Sequence, residues 1–271
     1  MIFTDQTDAL IRFGIFASVF LLLAGLELFS PRRPLTQSKP HRWFTNLSLI
    51  VVDTLALRVA MPIMAVGMAH IAAQKGWGLL AMVDLPIWAE FIIAMLLLDL
   101  AIYAQHVATH KIPLLWRLHK VHHVDRDFDV TTAARFHPLE IIFSMAYKLL
   151  CVALIGPSAL AVFVFEIVLN ASTMFNHSNL KLPLGLDRAL RRLVVTPDMH
   201  RVHHSVIRKE TDSNYGFFLS IWDQIFRTYI PQPKAGHDQM TIGLPTYQDD
   251  KPIKLGWSLL LPFLPNRRTG D

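Results

Sequence analysis

Apolar stretches long enough to cross a lipid bilayer recur along the first two thirds of the chain. About 20 apolar residues suffice to span the hydrocarbon core. Membrane helices are therefore predicted over residues 9–29, 44–73 and 87–103, and a fourth apolar run covers residues 139–175. Gly156-Pro157 interrupts the fourth run, and because proline cannot continue a helix we expect a hairpin of two short spans there. The pattern predicts an all-α integral membrane bundle.

Three charged residues stand out inside these runs. Asp53 and Arg58 fall five residues apart in the second run, and Asp99 lies near the end of the third. Charged side chains are costly in lipid, so we expect them to face the bundle interior or each other. The composition agrees with a membrane protein, since 52% of the residues are hydrophobic and only 17% are charged. The mean hydropathy is +0.36.

The distribution of basic residues predicts the orientation in the membrane. The loop after the first run carries Arg32, Arg33, Lys39 and Arg42, whereas the loop after the second run carries only Lys75. By the positive-inside rule, the first loop is cytoplasmic and the amino terminus lies outside. The third run and the hairpin then both end in the cytoplasm. We expect a multi-pass protein of a bacterial inner membrane.

Charge and cysteine content exclude several other classes. The formal net charge of +5 is mild, and on a membrane protein it indicates cytoplasmic loops rather than a nucleic-acid partner. Cys151 is the single cysteine, which rules out a disulfide framework and a cysteine-ligated iron–sulfur or zinc site within this chain.

Eight histidines form three closely spaced boxes that carry the candidate chemistry. The boxes are His106-x-x-x-His110, His119-x-x-His122-His123 and His200-x-x-His203-His204. Side chains three or four residues apart share one face of a helix, so each box presents its imidazoles together. Imidazole is a common metal ligand, and eight exceed what one tetrahedral zinc uses. The boxes predict two metal ions about 3.5–4 Å apart, in a histidine-rich helical cap on the cytosolic side of the bundle.

The residues alone leave the metal and the class of protein open. Imidazole suits zinc, copper, iron and nickel. A structural zinc site needs four ligands and no open position, which leaves at least half of the histidines unexplained. A solvated polar surface or an interfacial proton-relay cluster is a further interpretation. The main alternative is a histidine-rich metal-binding or metal-transport membrane protein without oxygenase activity. A transporter places its ligands near the bilayer midplane, whereas these boxes lie outside the spans.

The boxes and their surroundings resemble the fatty acid hydroxylase/sterol desaturase superfamily. The order of the three boxes matches, with a membrane hairpin between the last two. Residues 116–123 (WRLHKVHH) and 196–204 (TPDMHRVHH) look like the second and third boxes, and residues 214–216 (NYG) and 221–223 (IWD) look like the segments that follow them. The resemblance covers about residues 97–230.

The resemblance implies a non-haem diiron oxidoreductase that uses O2 to hydroxylate, or alternatively to desaturate or cleave, a lipid. The substrate would be a fatty acyl, sterol, ether or amino lipid, and hydroxylation is favoured. Zinc is a possible substitute for iron, and the electron donor would be a reductase, a ferredoxin or a cytochrome-type protein. The eight box histidines are the expected catalytic residues and metal ligands. His177 and His137 are further candidate ligands that fit the family pattern.

The chain is accordingly divided into three segments: membrane helices over residues 1–105, the catalytic region with its hairpin over 106–231, and a cytosolic or interfacial tail over 232–271. Within the catalytic region, Asp198, Asp125 and Asp127 are candidates for orienting imidazoles. Trp116 and Trp222 are expected to pack or to anchor the chain rather than to catalyse. The remaining histidines are expected to be structural or on the surface; they are His41, His70 and His237.

Overall fold

Helices form the regular structure of residues 5–265, the part of the chain that this computed structural model describes. Five helical segments are long and apolar enough to cross a membrane; they are Thr7–Phe29, Lys39–Met82, Ile87–Lys111, Pro138–Ile155 and Ala159–Asn176. The prediction of an all-α integral membrane bundle is confirmed. The outer ends of the first and last predicted segments, residues 1–4 and 266–271, lie outside the described residues.

The helices follow one another with short connections. They are α1 (Asp5–Phe29), α2 (Lys39–Ala60), α3 (Ala65–Lys75), α4 (Ile87–Lys111), α5 (Pro113–His123), α6 (Pro138–Ile155), α7 (Ala159–Asn176), α8 (Leu184–Leu190), α9 (Pro197–His203), α10 (Arg208–Thr211), α11 (Ile221–Ile225), α12 (Gly236–Gln239) and α13 (Leu255–Leu260). Single turns of 3₁₀ helix lie at Leu79–Met82, Thr132–Ala134, Pro245–Tyr247 and Leu261–Phe263.

The second predicted span was expected to be one helix, but the structure has two helices there, α2 and α3. α2 ends at Ala60, and Met61 adopts an extended conformation with φ −113° and ψ 111°. Met61 precedes Pro62, whose ring disfavours the helical conformation in the residue before it. The third predicted span continues two turns further than expected, to Lys111. It therefore carries the first histidine box on the membrane helix itself.

The hairpin predicted from Gly156-Pro157 is present as α6 and α7. Gly156 adopts φ +69°, which ends α6, and Ser158 Oγ caps α7 by accepting from the backbone N–H of Ala161. At this tip the backbone of Gly78 lies directly against Gly156. A Cβ atom on Gly78 would fall 2.3 Å from the backbone nitrogen of Gly156, so the contact requires glycine.

At the opposite end of the bundle, α1 and α7 terminate together. The backbone N–H of Arg32 donates to the carbonyl of Asn179 at 2.7 Å, and that of Lys181 donates to Ser30 at 3.0 Å. Glu27 Oε1 accepts from the backbone N–H groups of both Val130 and Asn179. These contacts bring the ends of two spans against the segment of residues 124–137 that follows α5.

A buried ionic network fixes the 124–137 segment beneath α2. The Arg42 guanidinium binds Asp125 through Nε and Nη2, both at 2.8 Å, and Asp129 through Nη1 at 2.7 Å. Burial alone would raise the pKa of Asp125, but the neighbouring Arg42 charge lowers it to about 2. Arg135 is also fully buried and donates to the carbonyls of Val121 and Pro252. Three parts of the chain that are distant in sequence are thereby joined.

The tail packs against the same region. Leu261 is fully buried in an apolar cluster with Leu49, Val121 and Val124, and Arg117 Nε donates to the carbonyl of Pro262 at 2.9 Å. The described part of the tail therefore shares a core with α2 and α5. The division of the chain into three segments stays a prediction.

Candidate metal centre

Nine histidines meet at the end of the bundle where α4, α5, α7 and α9 converge. They are His106 and His110 on the last turns of α4, His119, His122 and His123 on α5, His177 at the end of α7, and His200, His203 and His204 on α9 and its cap. Each is at most 3% exposed. Water can satisfy the ring nitrogens of an exposed imidazole, whereas those of a buried imidazole need a partner within the protein.

The nine imidazoles separate into two adjacent groups. Within each group the candidate ligand atoms lie within 4.8 Å of one another. The first group is His106, His110, His119, His123 and His203, and the second is His122, His177, His200 and His204. Pairs four residues apart stay together in one group, while the third member of each His-x-x-His-His box joins the other group. Both boxes therefore contribute to both groups, as expected from the fan of side chains around a helix.

Backbone carbonyls orient four of the rings through Nδ1. Nδ1 of His106 donates to the carbonyl of Tyr215 at 2.7 Å, and Nδ1 of His203 donates to that of Ser213 at 2.6 Å. Nδ1 of His177 donates to the carbonyl of Thr173 at 2.8 Å, and Nδ1 of His122 donates to that of Arg135 at 3.2 Å. A carbonyl oxygen can only accept, so in each neutral ring the proton is on Nδ1 and the lone pair is on Nε2. This is the arrangement that outer partners impose on metal-binding imidazoles.

The Nε2 atoms of the second group are too close to one another without a cation. Nε2 of His122 and Nε2 of His177 lie 3.0 Å apart, yet neither carries a proton. Burial lowers the pKa of His122 well below its usual value and that of His177 to about 3, so both rings are neutral. Two lone pairs at this distance repel each other. Two metal–nitrogen bonds of about 2.1 Å at right angles would place the nitrogens about 3.0 Å apart, so a shared metal ion fits.

The first group shows the same fit through unsatisfied nitrogens. Nε2 of His106 and Nε2 of His203 are buried and have no hydrogen-bond partner among the described residues, and neither ring nitrogen of His110 has one. Buried polar atoms are almost always satisfied in folded proteins. A second metal ion would satisfy Nε2 of His106, Nε2 of His203 and one of the two ring nitrogens of His110. The residues present therefore suit two histidine-bound metals.

Two carboxylates reach the centre: Asp212 Oδ1 lies 3.5 Å from Nδ1 of His110, and the closer contact is made by Glu140. Its Oε1 accepts from Nδ1 of His119 at 2.6 Å, and the two side chains are 4% and 2% exposed. A carboxylate behind an imidazole fixes the ring and raises its strength as a ligand. Sequence reasoning missed Glu140, although an acidic residue in the first turn of an apolar span is a signal for such a role.

His137 is not brought to the centre. It caps the amino end of α6, where its Nδ1 accepts from the backbone N–H of Leu139 at 3.1 Å. Its Nε2 donates to the carbonyl of Leu259 at 3.1 Å. Both ring nitrogens are thus occupied by the backbone, and His137 belongs to neither group of imidazoles.

The aspartates considered as partners for imidazoles bind residues outside the two groups. Asp125 binds Arg42, Asp127 accepts from the backbone N–H groups of Thr36 and Gln37, and Asp198 pairs with Arg201. Trp116 packs against the first group, with its ring 5.0 Å from that of His110. Trp222 donates from Nε1 to Asp99 at 2.8 Å. The other histidines lie apart from the two groups: His41 and His70 are exposed, and His237 is buried near Asp198.

A cavity of about 290 Å³ leads from between the membrane helices to the first group. It reaches the centre at His106 and His119. Much of its wall is apolar, and the apolar residues include Phe16, Phe20, Ile50, Leu57, Ile102, Phe136, Ile141, Leu169, Met174 and Phe217. Asp53 also lines the cavity, whereas Arg58 is exposed, so the two charges of the second predicted span do not face each other.

A bundle of membrane helices capped by two buried groups of imidazoles defines a histidine-box membrane protein. The chain belongs to the fatty acid hydroxylase family, whose model matches residues 91–228, about half of the chain. The matched segment begins within α4 and ends beyond α11. It therefore contains all nine histidines of the two groups.

Several characterised proteins are similar over the same region. An ornithine lipid hydroxylase of Rhizobium tropici is 29% identical over 161 residues, which is 58% of this chain and 46% of the relative. The human (Homo sapiens) alkylglycerol monooxygenase is 32% identical over 152 residues, 56% of this chain and 32% of the relative. The cholesterol 25-hydroxylase of Rattus norvegicus is 27% identical over 149 residues, 54% of this chain and 49% of the relative. The chain thus spans less than half the length of each. No solved structure matches the chain.

Proposed function

We propose that this chain is a diiron membrane oxidoreductase that uses O2 to hydroxylate a C–H bond of a lipid. The observation that carries the proposal is the pairing of the two imidazole groups with an apolar cavity that opens between membrane helices. The similarity to two hydroxylases and a monooxygenase of lipids supports hydroxylation over desaturation. The overall reaction would consume one C–H bond, one O2, two electrons and two protons, and form one C–OH group and one water.

The proposed roles of the residues follow from their positions. The eight box histidines and His177 would hold two irons, which when bound supply the oxygen activation that an unactivated C–H bond requires. Glu140 would fix the ring of His119, and backbone carbonyls would fix four other rings. The apolar wall would exclude water and hold the lipid chain beside His106. We leave His137 out of the ligand set because both of its nitrogens are engaged elsewhere.

We place the centre on the cytoplasmic face of a bacterial inner membrane, where a reductase, a ferredoxin or a cytochrome-type protein can deliver the electrons. The basic loop after α1 supports this orientation, since positive charge accumulates on the cytoplasmic side. That loop meets the end of α7 through the contact of Arg32 with Asn179. The lipid would enter from the bilayer and the electrons from the cytosol.

The proposal is tested on the purified full chain in lipid nanodiscs. We expect about two irons per chain and uptake of oxygen when a reductant and an accepted lipid are present. Mass spectrometry should show a gain of one oxygen in the lipid, whereas a loss of two hydrogens would indicate desaturation. His122→Ala should abolish turnover, and His70→Ala, at an exposed histidine outside both groups, should not. One zinc per chain with no oxygen uptake would refute the proposal.

A further inference from the structure

The wall of the cavity presents unpaired hydrogen-bond acceptors close to the metal centre. Asp53 Oδ1, Gln105 Oε1 and Glu140 Oε2 are buried and have no hydrogen-bond partner among the described residues. The three side chains are 7%, 9% and 4% exposed, and all three line the cavity. They come from α2, α4 and α6, so three helices direct acceptor atoms into one space.

The polar groups nearby do not supply the missing donors. Three hydroxyls of the wall donate to carbonyls of their own helices: Thr54 to Ile50, Thr109 to His106 and Thr173 to Leu169, each at 2.7 Å. Lys148 Nζ donates to Glu166 at 3.0 Å, and Arg12 donates to the other oxygen of the same carboxylate at 2.8 Å. These five donors are engaged elsewhere, and among the described residues none donates to Asp53 Oδ1 or Glu140 Oε2.

Buried carboxylate oxygens without a donor are costly between membrane helices and usually mark a functional site. Glu140 also places one of these acceptors next to the metal centre. One of its oxygens accepts from His119 at 2.6 Å, and the other, unpaired oxygen belongs to the same carboxylate. A donor bound there lies beside the first imidazole group. An occupant with a purely hydrocarbon end at this position would leave Asp53 Oδ1 and Glu140 Oε2 without a donor.

We infer that the cavity selects a lipid whose reacting carbon lies within a few bonds of a hydroxyl or ammonium group, bound by Asp53 and Glu140. The inference rests on the proposed function, since it takes the cavity to be the substrate site. It deepens that function by placing oxidation near the polar end of the lipid, with the hydrocarbon tail along the apolar wall formed by residues such as Phe20 and Leu57. A carbon in the middle of an acyl tail would not be favoured.

The test measures retention of three probe lipids by the full chain with native mass spectrometry, without reductant. The probes are 1-O-hexadecylglycerol, its 2,3-di-O-methyl ether, which lacks donors, and hexadecylammonium. We expect the wild-type chain to retain the glycerol ether or the ammonium at least about tenfold better than the dimethyl ether, which is the effect of a hydrogen bond to a charged acceptor. If the wild-type chain prefers the ammonium and Asp53→Asn abolishes that preference, the donor is cationic. A preference for the glycerol ether that persists in Asp53→Asn identifies a hydroxyl.

Asp53→Leu should reduce the preference to nearly onefold while leaving retention of the dimethyl ether unchanged. Asp84→Leu is the matched control, because it removes an exposed acid outside the cavity. Equal retention of all three probes by the wild-type chain would overturn the inference. It would also be overturned if Asp53→Leu lost all three probes equally while Asp53→Asn retained them as the wild-type chain does. Retention does not depend on turnover. A chain that binds the glycerol ether selectively yet consumes no oxygen would refute the proposed function alone.

Discussion

Replacing Arg42 with methionine should destabilise the protein strongly. The guanidinium is fully buried and makes three charge-assisted hydrogen bonds of 2.7–2.8 Å to two carboxylates, Asp125 and Asp129. Methionine keeps most of the volume but removes the cation that binds both buried carboxylates directly. Breaking a buried ion pair in this way costs about 3–5 kcal/mol. We expect a decrease of that size in the free energy of unfolding.

The measurement is chemical unfolding of both proteins in the same detergent micelle, followed by tryptophan fluorescence. Arg208→Met is the matched control, because Arg208 pairs with Asp212 at the surface with 61% of its side chain exposed; its loss should cost less than about 1 kcal/mol. Combining Arg42→Met with Asp125→Asn and Asp129→Asn should restore part of the stability, since the two carboxylates are no longer charged, while the buried Arg135 loses the favourable charge of Asp125. If Arg42→Met alone costs less than about 1 kcal/mol, the network does not stabilise the 124–137 segment as argued.

Three further outcomes follow from individual side chains. Glu140→Gln should weaken iron binding by about 10–100-fold, measured by competition with a chelator, because His119 loses its charged partner; unchanged affinity would remove Glu140 from the centre. The pKa of Asp125 is depressed to about 2 from an ordinary value of 3.8, so about 2 kcal/mol of stability is present above pH 4 and is lost as the pH falls towards 2; a flat unfolding curve over that range would contradict this. His137→Ala should keep the full iron content but lower stability by about 0.5–2 kcal/mol, the effect of losing a helix cap, whereas loss of iron would make His137 a ligand.

Local signals in the sequence located the membrane helices, although not all of their ends. Gly156-Pro157 predicted the hairpin, and its position is confirmed by the ends of α6 and α7. The break at Met61 was missed because an apolar run with one proline keeps its mean hydropathy, although Pro62 carried the signal. Mean hydropathy indicates how long an apolar segment is, but it does not show whether the segment forms one helix or two.

The packing around the centre depends on contacts that sequence spacing does not reveal. His119 and Glu140 are separated by a turn and a segment of irregular backbone, and only the docking of α6 brings them to 2.6 Å. Arg42 and Asp125 are 83 residues apart, and each looks like an ordinary loop charge until its burial is known. The histidine boxes could be found because their spacing is local. How the boxes divide into two groups could not be predicted, since that depends on how α5 and α9 face each other.

The use of main-chain carbonyls to hold the imidazoles has an evolutionary consequence. The rings of His106, His203 and His177 are held by the carbonyls of Tyr215, Ser213 and Thr173, and every amino acid supplies the same oxygen. Substitutions at these three positions can therefore accumulate without releasing a ligand, provided that the backbone path is kept. Amino-acid substitutions next to the centre, and in the cavity wall beyond it, therefore need not alter the positions of the imidazoles. Under the proposed function, a family built in this way can change the lipid it accepts while the two groups of imidazoles keep their arrangement.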